Sequence, residues 1–200
     1  MTRPVFYLLA GPNGAGKSTL YKALRAAGKL PADAEFVNAD LYEAAHLQHI
    51  QEPMQRSEAA RDWADARRAQ LLEQGKSFVS ETVFSHASKL ALIQDAQAKG
   101  FFVLLLVVAL DQPERLLARV SQRVLEGGHN VSAQRILARY PRTIALLAQA
   151  VRLADAAVLH DSCDAQPGAH KVVATCQGRA IRILHQALPQ WAHTVLQLSH

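Results

Sequence analysis

Lys17 and Ser18 close the run Gly11-Pro12-Asn13-Gly14-Ala15-Gly16-Lys17-Ser18. An apolar stretch, Val5 to Ala10, leads into it, and a helix-compatible segment from Thr19 to Ala27 follows. Strand, glycine-rich turn, Lys-Ser and helix together satisfy the G-x-x-x-x-G-K-[ST] pattern in the context it requires. Glycines let the backbone wrap closely around phosphate oxygens, and the N–H groups opening the next helix face them with a favourable dipole. A lysine at position 17 can reach β- and γ-phosphates, and a serine at 18 can offer its hydroxyl to Mg²⁺. The expected ATP-binding residues are thus Gly11, Asn13, Gly14, Ala15, Gly16, Lys17, Ser18 and Thr19. The loop implies a nucleoside triphosphate and leaves open what, if anything, receives its phosphate.

The carboxylates narrow that question. Asp40 follows the short strand Glu35–Asn38, with Asn38 two residues before it. A carboxylate there can accept the proton of an incoming hydroxyl, and it can also cap a helix beginning at Leu41. Glu81 and Thr82 end an apolar strand, where a charge is costly without a partner. Glu81 can hold Mg²⁺ through water or bind acceptor hydroxyls, and Thr82 can hydrogen-bond substrate.

The arginines form two stripes. Arg115, Arg119 and Arg123 repeat at helical spacing, beside an apolar stripe of Leu116, Val120 and Val124. Arg135, Arg139 and Arg142 repeat in the next helix, after the break Gly127-Gly128-His129-Asn130. Two such helices can close as a lid that neutralises a transferred phosphate and excludes water, or they can be a solvated basic face. At least one of Arg123, Arg135, Arg139 and Arg142 is expected to reach the ATP phosphates, with Arg123 and Arg139 as the catalytic candidates, and the outer arginines are expected to be solvated. His129 is a candidate substrate or hinge contact. His46 and His49, one turn apart, lack a third metal ligand.

The elements that must position these groups alternate. Strands are expected at Val5–Leu9, Glu35–Asn38, Ser77–Ser80, Phe101–Leu110, Ala157–His160 and Lys171–Thr175. Helices are expected at Lys17–Ala27, Leu41–Ile50, 54–74 and His86–Lys99. Another, capped by Asp111, should run to Glu126, and one capped by Ser132 should be kinked or divided by Pro141 and resume to Leu153. A C-terminal helix is expected at Pro189–Leu198. Helix 54–74 has a thin apolar face, Ala59, Trp63 and Ala66, which suggests a surface arm or a wall facing a ligand. The alternation gives an α/β fold with a mostly parallel sheet, to which the arginine helices would add a helical lid. Ligands bind such sheets beyond the carboxyl ends of the strands, where the loop, Asp40, Glu81-Thr82 and Asp111 lie.

The 200 residues fit one domain (1–200), with a helical arm at about 41–75 and a lid at about 113–145. Half the residues are hydrophobic, so a sizeable core can form, and the net charge of +5 suits phosphate-rich partners, nucleic acid included. Cys163 and Cys176 have no metal-ligand spacing and read as idle thiols of a reducing compartment. No signal peptide is visible, and Phe101–Leu110 is about half of what spans a bilayer. A cytoplasmic protein without membrane contact is expected.

Taken together, GPNGAGKST, VNAD, SETVFSH and RVLEGGHNV followed by RY-x-R resemble the zeta-toxin group of phosphate-loop kinases, most closely its short bacterial members. The resemblance implies the three-layer P-loop kinase fold, ATP, Mg²⁺ and γ-phosphate transfer to a sugar hydroxyl of UDP-N-acetylglucosamine or a related nucleotide sugar. It also implies a toxin neutralised by a small antitoxin, here expected as a separate chain. It assigns Lys17 and Ser18 to the phosphate loop, Asp40 to the general base and Glu81 to substrate binding. Two other expectations remain beside it. One is a kinase of nucleotides or nucleic-acid ends, and the other is an ATP-binding switch that transfers nothing.

Overall fold

A computed structural model describes residues 3–125, 132–163 and 170–197. Seven strands form one sheet: β1 (Val5–Ala10), β2 (Glu35–Val37), β3 (Phe78–Thr82), β4 (Phe102–Ala109), β5 (Ala156–Asp161), β6 (Lys171–Gln177) and β7 (Ala180–Ile183). Their order across the sheet is β2-β3-β1-β4-β5-β6-β7. The first five are parallel, and β6 and β7 add an antiparallel edge. The expected α/β class with a mostly parallel sheet is therefore observed. Strand β7 was not anticipated, because a four-residue exposed strand has no buried face to impose an apolar pattern.

The helices are α1 (Lys17–Ala26), α2 (Ala39–His46), α3 (Pro53–Glu73), α4 (Ser88–Ala98), α5 (Pro113–Leu125), α6 (Ala133–Leu153) and α7 (Gln190–Leu196). They cover the two faces of the sheet. Leu20 of α1 and Leu116 and Val120 of α5 pack with Leu9, Leu106 and Val108 on one face. Ala64 and Leu71 of α3, Ile93 of α4, Leu147 of α6 and Trp191 of α7 pack with Leu8, Leu105 and Val107 on the other. Alternate residues of β4 thus enter opposite cores, which explains why its sequence is an unbroken apolar run. Helix α6 joins both cores, Ile136 belonging to the first and Leu147 to the second. Between them, Tyr140 Oη donates to the Leu110 carbonyl at 2.6 Å, and burial pushes its phenol up to about 12.

Four expectations are corrected. Asn38, not Asp40, caps α2: the helix begins at Ala39 and Asn38 Oδ1 accepts from the Leu41 amide at 3.0 Å. Asp111 does not cap the helix that follows it in sequence. Its carboxylate accepts from the amides of Gln190 at 2.9 Å and Trp191 at 2.7 Å, and so caps α7. Pro141 does not divide α6, which is assigned as one helix through it. Ser132 does cap α6, accepting from the Arg135 amide at 3.4 Å. The buried face of α3 is Ala60, Ala64, Arg68 and Leu71, not Ala59 and Ala66. A buried arginine interrupts the stripe and shifts the apparent apolar face. Both cysteines are free thiols, and among the described residues no helix is long and apolar enough to cross a membrane.

His160 of β5 is 4% exposed, and its Nδ1 has no hydrogen-bond partner among the described residues. Burial pushes its pKa down to about 4, opposed by backbone hydrogen bonds and reinforced by the charge of His170. The unfolded chain, with a histidine pKa near 6.5, takes up a proton that the folded chain refuses. Stability is therefore complete above pH 6.5 and falls as pH drops from 6.5 towards 4, by about 3 kcal/mol from this group. Urea denaturation at pH 7 and pH 4.5 checks this. A His160→Leu variant should lose less stability over that interval than the wild type, and parallel profiles would contradict it.

Candidate functional site

Three strand ends meet at Glu81. After β1 the chain turns through Gly11–Gly16 into α1. A side chain at Gly11 would place its Cβ 2.0 Å from the Val108 carbonyl oxygen, so β4 itself demands glycine there. Gly16 has φ 93 and ψ 23, a left-handed conformation that lets the loop enter α1 directly. Lys17, 5% exposed, donates from Nζ to the Pro12 carbonyl at 3.0 Å and lies 3.7 Å from Glu81 Oε1. Ser18 Oγ donates to Glu81 Oε2 at 2.8 Å. From the end of β2, Asn38 Nδ2 donates to the same oxygen at 2.9 Å. One carboxylate thus ties the loop after β1 to the ends of β2 and β3. Its charge is held by an ammonium and two hydrogen bonds, which is what a mostly buried carboxylate requires.

Asp40 is exposed in the first turn of α2, two residues beyond Asn38. Thr82 is half-buried at the last position of β3, and its Oγ1 accepts from the Phe84 amide at 3.4 Å. Asn13 Oδ1 is buried in the loop with no hydrogen-bond partner among the described residues. Gly14 and Ala15 complete the turn, with the Ala15 amide bonded to the Pro12 carbonyl at 3.2 Å, and Thr19 is exposed on α1. The structure therefore brings the loop, Asn38 and Glu81 into one hydrogen-bonded unit, with Asp40 and Thr82 at its margin. The side chain of Arg123 and all of His129 lie outside the described residues.

The arginine stripes divide. Arg115 donates to the Cys163 carbonyl, and Arg119 to the Ser162 carbonyl at 2.6 Å and its hydroxyl at 3.2 Å. They are tied to the end of β5, Arg115 remaining exposed and Arg119 half-buried. Arg139 of α6 is half-buried. Burial lowers its pKa, as do the charges of Arg135, Arg142 and, from α3, Arg61. Lys89 of α4 is lowered by burial and by Arg68 and Arg61, with Asp65 acting the other way. Arg68 donates to Ser80 Oγ at 3.2 Å, next in sequence to Glu81. Helices α3, α4 and α6 thus contribute cations to one wall beginning beside the Glu81 strand, in which Asp65 pairs with Arg68 and, at 3.7 Å, with Lys89. Arg61 and Lys89 were not read from the sequence, since Arg61 is one of four arginines on a polar helix and Lys89 is the one cation of α4. His170 was also missed; its Nε2 lies 3.0 Å from the Gly16 carbonyl oxygen.

The hard oxygen donors Ser18 Oγ and Glu81 Oε2, 2.8 Å apart, suit Mg²⁺. The unpartnered Asn13 Oδ1 and the glycine turn leave polar capacity for a nucleotide. A family model described as Zeta toxin matches residues 1–163. The chain belongs to the zeta-toxin family. It is a phosphotransferase of the kinase type, with a nucleotide-binding P-loop for ATP, as its sequence implied. Two solved structures show the same fold. One comes from the PezAT chromosomal toxin–antitoxin system of the human pathogen Streptococcus pneumoniae. It is 16% identical, with 81% of this chain and 70% of that chain covered and a TM-score of 0.60. The other is the AvrRxo1-ORF1:-ORF2 structure with ATP, 20% identical over 90% of this chain and 60% of that chain, with a TM-score of 0.71. No curated protein matches this zeta-toxin-family chain.

Proposed function

We propose that this chain transfers the γ-phosphate of ATP to a hydroxyl of a nucleotide sugar resembling UDP-N-acetylglucosamine. The observation that supports it most is the shared Glu81 oxygen, bonded to Ser18 on the donor side and Asn38 on the acceptor side. It ties the phosphate loop to Asn38, the cap of the helix whose first turn carries Asp40. Loop amides and Lys17 hold the β- and γ-phosphates, with Lys17 exchanging the Pro12 carbonyl for phosphate oxygen. Ser18 and Glu81 would hold Mg²⁺, which supplies charge neutralisation on the phosphates. Asn38 fixes the end of β2, and Asp40 takes the proton of the acceptor hydroxyl. Thr82 lies beside the acceptor. Helices α5 and α6 form the lid, from which Arg139 neutralises charge on the transferred group.

The nucleotide sugar is favoured by the cationic wall. Arg139 feels the like charges of Arg135, Arg142 and Arg61, and an anion beside it would relieve that repulsion. The diphosphate of a nucleotide sugar carries such charge, whereas a free sugar does not. Replacing Arg61 with Ala should raise KM for the nucleotide sugar roughly ten- to a hundredfold, the range for hydrogen bonds to charged groups, with KM for ATP unchanged. Steady-state kinetics with each substrate varied in turn checks this, and equal changes in both KM values would contradict it.

The protein is further proposed to act as a cytoplasmic toxin held by a separate antitoxin protein. Expression in bacteria without that partner should arrest growth and accumulate a phosphorylated nucleotide sugar. Lys17→Ala should abolish both effects. Unimpeded growth on wild-type expression, or arrest by the Lys17→Ala variant, would contradict the toxin reading.

A further inference from the structure

The antiparallel edge of the sheet reaches back to the phosphate loop through His170, which immediately precedes β6. Its Nε2 lies 3.0 Å from the Gly16 carbonyl oxygen, across 154 residues of sequence. A carbonyl only accepts, so Nε2 carries the proton and donates, in either the neutral or the charged ring. The same carbonyl accepts the Leu20 amide at 2.9 Å, the first bond of α1, and two lone pairs accommodate both donors. The ring sits directly against Gly16, where an added Cβ would lie 2.9 Å from Nε2.

We propose that His170 is a positioning residue for ATP binding, acting through the Gly16–Lys17 peptide. A trans peptide is planar, so its C=O and N–H point in opposite directions. Holding the Gly16 carbonyl therefore fixes the direction of the Lys17 amide. That amide opens α1 and is among those that face bound phosphate. Gly16 is left-handed and has no side chain to hold its orientation, so the hydrogen bond from outside the loop supplies that constraint. His170 leads into β6, whose Lys171 pairs with Asp161 and Val172 with His160 of β5. The antiparallel edge is thereby coupled to the nucleotide site, and coupling of this kind is reciprocal.

The inference rests on the reading that the loop binds ATP, and direct titration with a non-hydrolysable ATP analogue separates the two. If the wild type fails to bind the analogue, the functional reading falls and this inference with it. If it binds, His170→Ala should weaken binding about three- to tenfold, the effect of one hydrogen bond. His170→Gln, which keeps a donor at similar reach, should bind within about twofold of wild type, and His170→Phe, which fills the space without a donor, should match His170→Ala. Thermal melting without nucleotide establishes that each variant is folded. The analogue should also slow hydrogen exchange of the β6 amides in the wild type and less so in His170→Ala. Wild-type affinity in His170→Phe, or a folded His170→Gln as weak as His170→Ala, would overturn the proposal.

Discussion

Replacing Asp40 with Ala should reduce phosphate transfer about 10²- to 10⁴-fold, the usual contribution of a positioned general base. ATP affinity should stay within about twofold of wild type, because Asp40 is outside the Lys17–Ser18–Glu81–Asn38 unit that holds the donor loop. The fold should also survive. Asp40 is exposed, and α2 is capped by Asn38, so loss of its charge at the helix N-terminus should cost about 0.3–1 kcal/mol. Asn38→Ala offers a contrast. It removes both the cap and a bond to Glu81, so it should lower stability by about 1 kcal/mol or more and disturb the donor side as well. Analogue titration beside initial-rate measurement separates these outcomes. Unchanged transfer in Asp40→Ala would point to a different base or to no transfer at all.

The second large effect is at Lys17. Lys17→Met keeps most of the side-chain volume but removes the ammonium that faces both the Pro12 carbonyl and Glu81. The loss should be roughly 10²- to 10³-fold in kcat, comparable with removing one donor from a site of developing charge. KM for ATP should rise too, because the ammonium contacts phosphate in the ground state as well. The carboxylate of Glu81 keeps its bonds from Ser18 and Asn38, so the variant should fold. Circular dichroism and steady-state kinetics on the same preparation check both statements. A Lys17→Met enzyme with near-normal kcat would exclude this loop from the reaction.

The candidate site residues were legible where local spacing encodes them. The phosphate loop is one contiguous pattern, and the alternation of elements set Glu81 at a strand end and Asp40 just beyond one. Long-range partnerships were not legible. Nothing near Asp111 in sequence reveals that its carboxylate caps α7, some eighty residues later. Asn38 and Asp40 are both good cap residues, and only the start of α2 at Ala39 decides between them. Arg68 reads as a surface residue because charged side chains usually are, yet it is buried against Ser80. The cationic wall draws its members from three helices far apart in sequence, so its composition followed only from packing. Strand β7 escaped because an exposed edge leaves no apolar period, whereas β4, buried on both faces, was plain.

The most direct measurement is transfer from γ-labelled ATP by the purified protein to a panel of nucleotide sugars, free sugars, nucleosides and nucleic-acid ends. The account predicts label on a nucleotide sugar, dependence on Mg²⁺, and loss of label in Asp40→Ala with analogue binding retained. ATP binding without label on any acceptor, or label confined to nucleosides or nucleic-acid ends, would contradict it.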